Sequence, residues 1–202
     1  MRLLLLASGT GSLVQAVIDG LANTGVEIVA VGSDLADAPV LDRARAADIE
    51  VFSAHPRDYA DRAAWDQAFT ETVAGYSPDW IVSAGFMRIL GASFVSRFGG
   101  RIINTHPALL PAFPGAHGVR DALDYGAKVT GTTIHLVDEG VDTGPIIAQF
   151  PVVIEPNETE TVLHERIKAI ERRELVHLLR FLEHGTLEVS GRHVSGYTPS
   201  AP

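Results

Sequence analysis

Across its 202 residues the chain has no cysteine, which excludes disulfides, thiolate nucleophiles and zinc sites of the cysteine type. Basic residues are in deficit, 16 against 25 acidic ones, and the net charge of −9 opposes the phosphate neutralisation that drives non-specific nucleic-acid binding. Long apolar runs are missing too. Leu3 to Leu6 breaks at Ser8-Gly9, far short of the roughly 18 residues a membrane span needs. One arginine and a four-leucine run without a cleavage site do not make a signal peptide, so no membrane and no nucleic acid are expected as partners and the cytoplasm is the expected compartment. What remains is an ordinary globular composition, 46% apolar and 20% charged, of a length that suits one α/β domain over residues 1–202.

The most informative stretch runs Asn104-Thr105-His106-Pro107-Ala108-Leu109-Leu110-Pro111-Ala112-Phe113-Pro114-Gly115. It follows the apolar Arg101-Ile102-Ile103. If that run is a strand, Asn104 and His106 share a face at its carboxyl end, where open α/β sheets place their ligands.

At the amino terminus an apolar run ends in Ser8-Gly9-Thr10-Gly11-Ser12, and Leu13, Val14, Val17, Ile18 and Leu21 then recur at helical intervals. Such a strand, glycine loop and helix start point backbone N–H groups and a positive dipole end at an anion. Ser12 and Gln15 have capping-box spacing. The full G-x-G-x-x-G is absent because Val14 stands where glycine belongs, and a turn without ligand is the plain alternative. Asp34, after a strand at 27–33, lies where a ribose-binding acid would, so a nicotinamide oxidoreductase stays open at this point.

Further strands are expected at 49–53 and 80–84, each after a helical segment, which argues a doubly wound, mostly parallel sheet. The second leads into Gly85-Phe86-Met87-Arg88-Ile89-Leu90, readable as core or as a wall for a flat aromatic ligand. Residues 128–137 and 146–154 alternate apolar and polar and predict an antiparallel pair around Asp138-Glu139-Gly140-Val141-Asp142-Thr143-Gly144-Pro145. A long helix follows over 159–183, with Glu171 beside its apolar face, and residues 184–202 read as a short strand or tail.

Singly, Asn104, His106 and Asp142 have plain structural explanations: a turn cap, a satisfied core histidine, a turn residue. Together they suit transfer of a formyl or acyl group to an amine. Asn104 and a protonated His106 would donate to the oxygen that gains charge, and Asp142 would favour the imidazolium and help move the amine's proton. His106, His117 and His135 lack metal-ligand spacing, and no metal is expected.

In order along the chain, the glycine loop, the Ala84–Leu90 segment, the Asn104–Gly115 segment and Asp142-Thr143-Gly144-Pro145-Ile146-Ile147 resemble the motifs of the phosphoribosylglycinamide formyltransferases. These are folate-dependent enzymes of purine synthesis that formylate glycinamide ribonucleotide from 10-formyltetrahydrofolate. The resemblance implies a single Rossmann-like formyltransferase domain, α/β and doubly wound with an antiparallel C-terminal strand pair. It implies catalytic roles for Asn104, His106 and Asp142. It gives substrate phosphate to Gly11, Ser12 and the amide of Leu13, and ribose hydroxyls to Glu171. Arg62, Met87, Arg88, Ile89 and Leu90, with Asn104 and Asp142, would bind the folate. Glycinamide ribonucleotide and 10-formyltetrahydrofolate would be the partners of a monomer or homodimer. Formyl-folate hydrolysis is the alternative within the fold, and the length and acidity of the chain argue against the tRNA-formylating branch, which carries a basic C-terminal domain. Leu13 replaces the polar residue usual in the glycine loop, and Gly118-Val119 departs from a His-rich stretch, leaving His117 and Arg120 as alternatives beside the phosphate.

Overall fold

The computed structural model describes residues 1–199, and the chain divides into two compact units at the Asn104–Thr105 bond. In the first unit the strands are β1 (Arg2–Leu6), β2 (Glu27–Ser33), β3 (Val51–Ser53) and β4 (Trp80–Ser83), closed by the first residues of β5 (Ile102–His106). They pair in parallel in the order β3-β2-β1-β4-β5. Helices α1 (Ser12–Leu21), α2 (Pro39–Ala46), α3 (Arg62–Gly75) and α4 (Ala92–Phe98) alternate with them. A central parallel strand is covered on both faces, so it reads as an unbroken apolar run rather than an alternating one. Leu3 to Leu6 of β1 are accordingly all fully buried. Trp65 and Phe69 of α3 stack at 5.0 Å, with Phe94 of α4 5.6 Å from Phe69, and the Trp65 indole N–H donates to the Ala54 carbonyl at 2.8 Å.

The second unit holds α5 (Gly118–Tyr125), β6 (Val129–Leu136), β7 (Ile146–Val153), α6 (Glu160–Leu182), β8 (Glu188–Ser190) and β9 (His193–Ser195). β6 and β7 are antiparallel as expected. β9 pairs in parallel with β7 and antiparallel with β8. The expected strand or tail after residue 184 is thus a small hairpin, and its last part, 200–202, lies outside the described residues. Gly126 ends α5 at φ 79, a left-handed cap that a side chain would strain. Thr159 caps α6 by accepting the Val162 N–H.

Three expectations are corrected. Ser12 and Gln15 do not form a capping box: the cap position is Gly11, there is no side-chain cap, and the Gln15 amide donates to Asp19 Oδ1 at 2.9 Å. The strand expected at 49–53 is confined to Val51–Ser53. β6 is buried on both faces from Thr130 to Leu136, because the threonines on it are enclosed within the unit rather than presented to water.

Val119 of α5, Val152 of β7, and Leu163 and Ile167 of α6 form one buried cluster. Leu163 is fully buried there, so Leu163→Ala leaves a cavity that its neighbours fill only in part. Chemical denaturation should show a loss of about 3 kcal/mol for Leu163→Ala, against under about 0.5 kcal/mol for Val162→Ala at the exposed neighbouring position.

Candidate active site

The glycine loop leaves β1 and enters α1 through Gly11 at φ 74. Conformation and space both require glycine: a Cβ there would stand 2.4 Å from Val40 Cγ2, and the Val40 N–H already donates to the Gly9 carbonyl at 3.2 Å. Ser12 and Leu13 are the first two residues of α1, and the first turn carries no acid. Their N–H groups have no partner within the helix, which makes this end receptive to an anion. Arg43 of α2 closes the loop from outside, its Nε donating to the Thr10 carbonyl at 2.7 Å.

In the same unit the segment after β4 is held by polar bonds from other elements. The Met87 N–H donates to Ser8 Oγ at 2.8 Å, and the Arg88 Nε donates to Asp34 Oδ2 at 2.6 Å. Arg62, at the start of α3, donates to the Ile89 carbonyl and pairs with Asp66 Oδ1 at 2.9 Å. Met87 and Ile89 nevertheless stay 69% and 63% exposed, while Leu90 is buried. Among the expected folate-side residues, the structure thus brings Arg62 to the segment's backbone and turns Arg88 onto a buried acid. That acid is Asp34, which the sequence offered as a ribose ligand. Its two oxygens are instead taken by the Ser8 hydroxyl (2.5 Å) and Arg88.

Asn104 and His106 occupy alternate positions of β5, with Asn104 in register with Ser83 of β4. In the second unit His106 is buried and both its ring nitrogens are engaged. Nε2 lies 2.7 Å from the Phe113 carbonyl. A carbonyl only accepts, so Nε2 carries the hydrogen and Nδ1 is the nitrogen whose protonation sets the ring's charge. Nδ1 faces Asp142 Oδ2 at 3.4 Å. Phe113 adopts φ 54, unusual for a bulky residue, so the turn that delivers this carbonyl is a strained one.

Asp142 is also within 3.6 Å of His135 Nε2 through its other oxygen, and its Oδ2 accepts the Gly115 N–H at 2.7 Å. The hydrogen bond with His135 holds its carboxyl below the usual range, helped by the Gly115 amide and by the charges of His106 and His135, and opposed by burial. His135 Nδ1 lies 2.9 Å from the Leu136 carbonyl, so His135 too turns its charge-setting nitrogen toward Asp142. The loop bearing Asp142 is tied internally. Asp138 accepts from the Thr143 hydroxyl at 2.6 Å and the Gly140 N–H at 3.1 Å, and Arg192 donates to the Thr143 carbonyl at 2.8 Å.

Glu171 of α6 is buried against β6, 3.0 Å from Thr132 Oγ1, and that hydroxyl also lies 3.2 Å from the His106 carbonyl. Burial raises the Glu171 carboxyl, partly offset by the Thr132 bond and by Lys168 and Arg172. Arg120, an alternative for the phosphate, pairs with Glu160 Oε2 at 3.1 Å.

Sequence reasoning missed four participants: Ser8, Thr132, His135 and the Phe113 carbonyl. Thr132 and His135 left a signal, being polar in a strand that the antiparallel partner and α6 cover. The Phe113 carbonyl left none, because a backbone acceptor has no residue type. Among the described residues no three His, Asp or Glu side chains are gathered as a metal site, and no helix is long and apolar enough to cross a membrane.

The sequence profile described as formyl transferase matches residues 1–179. The chain is 53% identical over 192 residues to the phosphoribosylglycinamide formyltransferase of Mycobacterium tuberculosis (strain ATCC 25618 / H37Rv), covering 95% of this chain and 89% of that protein. The Escherichia coli (strain K12) phosphoribosylglycinamide formyltransferase is 39% identical over 173 residues, covering 85% and 82%. The crystal structure of glycinamide ribonucleotide transformylase 1 from Symbiobacterium toebii superposes with a TM-score of 0.93 at 39% identity, over 98% of this chain and 94% of that one. With a glycine loop, an Asn-x-His strand and a histidine-flanked Asp142 in family order, the chain belongs to the formyl transferase family, and the relatives it matches over most of its length are phosphoribosylglycinamide formyltransferases.

Proposed function

We propose that this chain, as one formyltransferase domain, transfers the formyl group of 10-formyltetrahydrofolate to the amine of glycinamide ribonucleotide, in the cytoplasm. The observation that carries the mechanism is the Asp142 carboxylate between the charge-setting nitrogens of His135 and of His106, which follows Asn104 by two positions on β5. The substrate amine is reactive enough to attack without a protein nucleophile, since an α-amino group with a pKa near about 8 is partly neutral at pH 7. Attack turns the formyl carbon tetrahedral and places charge on its oxygen. Asn104 donates an N–H to that oxygen, and His106, only when doubly protonated, donates through Nδ1, the nitrogen left over once the Nε2 hydrogen is given to Phe113. Asp142 stabilises the imidazolium and takes part in moving the proton from the amine to the departing folate nitrogen, directly or through water.

Gly11, Ser12 and the Leu13 amide receive the phosphate, and Glu171 serves the ribose hydroxyls. Met87, Arg88, Ile89 and Leu90 border the pterin, with Arg62 acting through the Ile89 carbonyl. A nicotinamide oxidoreductase loses its support, because Asp34 has both oxygens occupied within the protein.

Mixing the protein with both substrates should release tetrahydrofolate in proportion to formylated product, and no release without the amine; turnover that ignores the amine would make it a hydrolase. Asn104→Ala and His106→Ala should each lower kcat by a factor of about 10² to 10³ in that assay.

Glu171 gives a second test. Its carboxyl is raised in the folded protein, so the folded state holds the proton more tightly than the unfolded state does. Stability from that proton is full below the unfolded value and falls as pH rises through the folded one. Glutamine does not titrate, so the melting temperature of Glu171→Gln should gain on the native protein as pH rises above the ordinary carboxylate range. The same variant should raise KM for the ribonucleotide more than for the folate.

A further inference from the structure

The carboxyl ends of β1, β2 and β4 are joined by ladder bonds that reach as far as Gly85, the first residue of the segment at 85–90. The Ala7 N–H donates to the Gly32 carbonyl (3.0 Å), the Ala84 N–H to the Leu6 carbonyl (2.7 Å), and the Ser8 N–H to the Gly85 carbonyl (3.1 Å). Beyond Gly85, at φ 78, the chain leaves the sheet. Met87 and Arg88 are then held by one carboxylate, the first through Ser8 and the second directly. Asp34 Oδ1 accepts the Ser8 hydroxyl at 2.5 Å, Ser8 Oγ accepts the Met87 N–H at 2.8 Å, and Asp34 Oδ2 takes Arg88 at 2.6 Å. Asp34 is 2% exposed, whereas the Arg88 side chain is 39% exposed. A buried acid therefore draws a half-exposed arginine back against the sheet.

The consequence falls on the neighbours of Arg88. With Arg88 turned inward and Met87 tethered by its amide, the Met87 and Ile89 side chains are left facing solvent. Two large apolar side chains held in water by polar bonds to their own backbone are poised to cover a flat apolar ligand, at little further ordering cost.

We propose that Asp34, acting through Ser8 and Arg88, is a positioning residue that sets the shape of the folate-binding segment Gly85–Leu90, and so governs affinity for the formyl-folate without touching it. The inference rests on the formyltransferase reading above. It assigns to Asp34 a role other than the ribose contact its sequence position suggests, and it makes Arg88 a tether rather than a direct ligand.

The test compares steady-state kinetics of the native protein, Asp34→Ala, Asp34→Asn, Arg88→Ala and the Asp34→Ala/Arg88→Ala double variant, all first checked for native thermal melting. Asp34→Ala should raise KM for 10-formyltetrahydrofolate about tenfold, the scale of a lost charge-assisted bond, while kcat and KM for the ribonucleotide stay within about twofold. Asp34→Asn keeps an oxygen for Ser8 but presents no second acceptor to Arg88, so it should fall between the two. The double variant should be no worse than Arg88→Ala, since the two side chains act as a unit. Equal losses toward both substrates, additive losses in the double variant, or an unchanged folate KM would overturn the proposal. If Asp34→Ala does not fold, Asp34→Asn and Arg88→Ala decide it by the same split in KM. A native protein that fails to turn over the two substrates would instead overturn the functional reading, which separates the two failures.

Discussion

The second unit's chemistry depends on one carboxylate meeting two imidazoles. Asp142 offers one oxygen to His106 Nδ1 and the other to His135 Nε2, at 3.4 and 3.6 Å, and draws in the Gly115 amide as well. Both rings have their remaining nitrogen committed to a backbone carbonyl, of Phe113 and of Leu136. Each ring can donate to Asp142 only by carrying a second proton. The arrangement therefore couples the carboxylate's charge to the charge of two histidines, and it fixes tautomers with acceptors that cannot themselves titrate. Asp142 tolerates its φ of 54 because a short acid side chain is at home in the left-handed region; the same angle at Phe113 is costlier and is sustained by the bond it delivers.

The environment of Glu171 shows a related economy of protons. Thr132 has one hydroxyl hydrogen and two acceptors within reach, Glu171 Oε1 and the His106 carbonyl. If Glu171 is ionised, both acceptors compete for that hydrogen. If Glu171 holds its own proton, it can donate to Thr132, which donates onward to His106, and every group is served. Burial, which raises the carboxyl, favours the second arrangement. The backbone of His106 is thereby tied to α6 through β6, while its ring is tied to the Asp142 loop.

Much of this was legible from residue order. The doubly wound pattern, the antiparallel pair and the long helix expected over 159–183 follow from periodicity and turn residues, and His106 and Asp142, grouped by their chemistry, do lie side by side. What escaped did so for physical reasons. Gly11 rather than Ser12 takes the cap position, because the loop's left-handed turn and its fit against Val40 outweigh a hydroxyl cap. The burial of the β6 threonines was not legible, since alternation cannot tell water from an enclosing helix. Asp34 sat at the right distance for a ribose, but distance along the chain says nothing about which neighbours claim its oxygens. The carbonyls of Phe113 and Ile89 act through the backbone and have no signature in a sequence.

Two acids, the buried Asp34 in the first unit and the partly buried Asp142 in the second, each hold a loop, and their partners differ in kind. Asp34 holds its segment through Ser8 and Arg88, and a guanidinium stays charged across the working pH range. Asp142 holds its loop beside His106 and His135, which are charged only when protonated. If the 85–90 segment presents an apolar surface to the folate as proposed, it gains from a hold that pH does not alter. On the proposed mechanism the Asp142 site gains and loses a proton in every turnover, and it needs one that pH does alter. The sequence places a guanidinium at position 88 and titratable rings at 106 and 135, and on the proposed reading that choice of side chains divides the labour between folate binding and proton transfer.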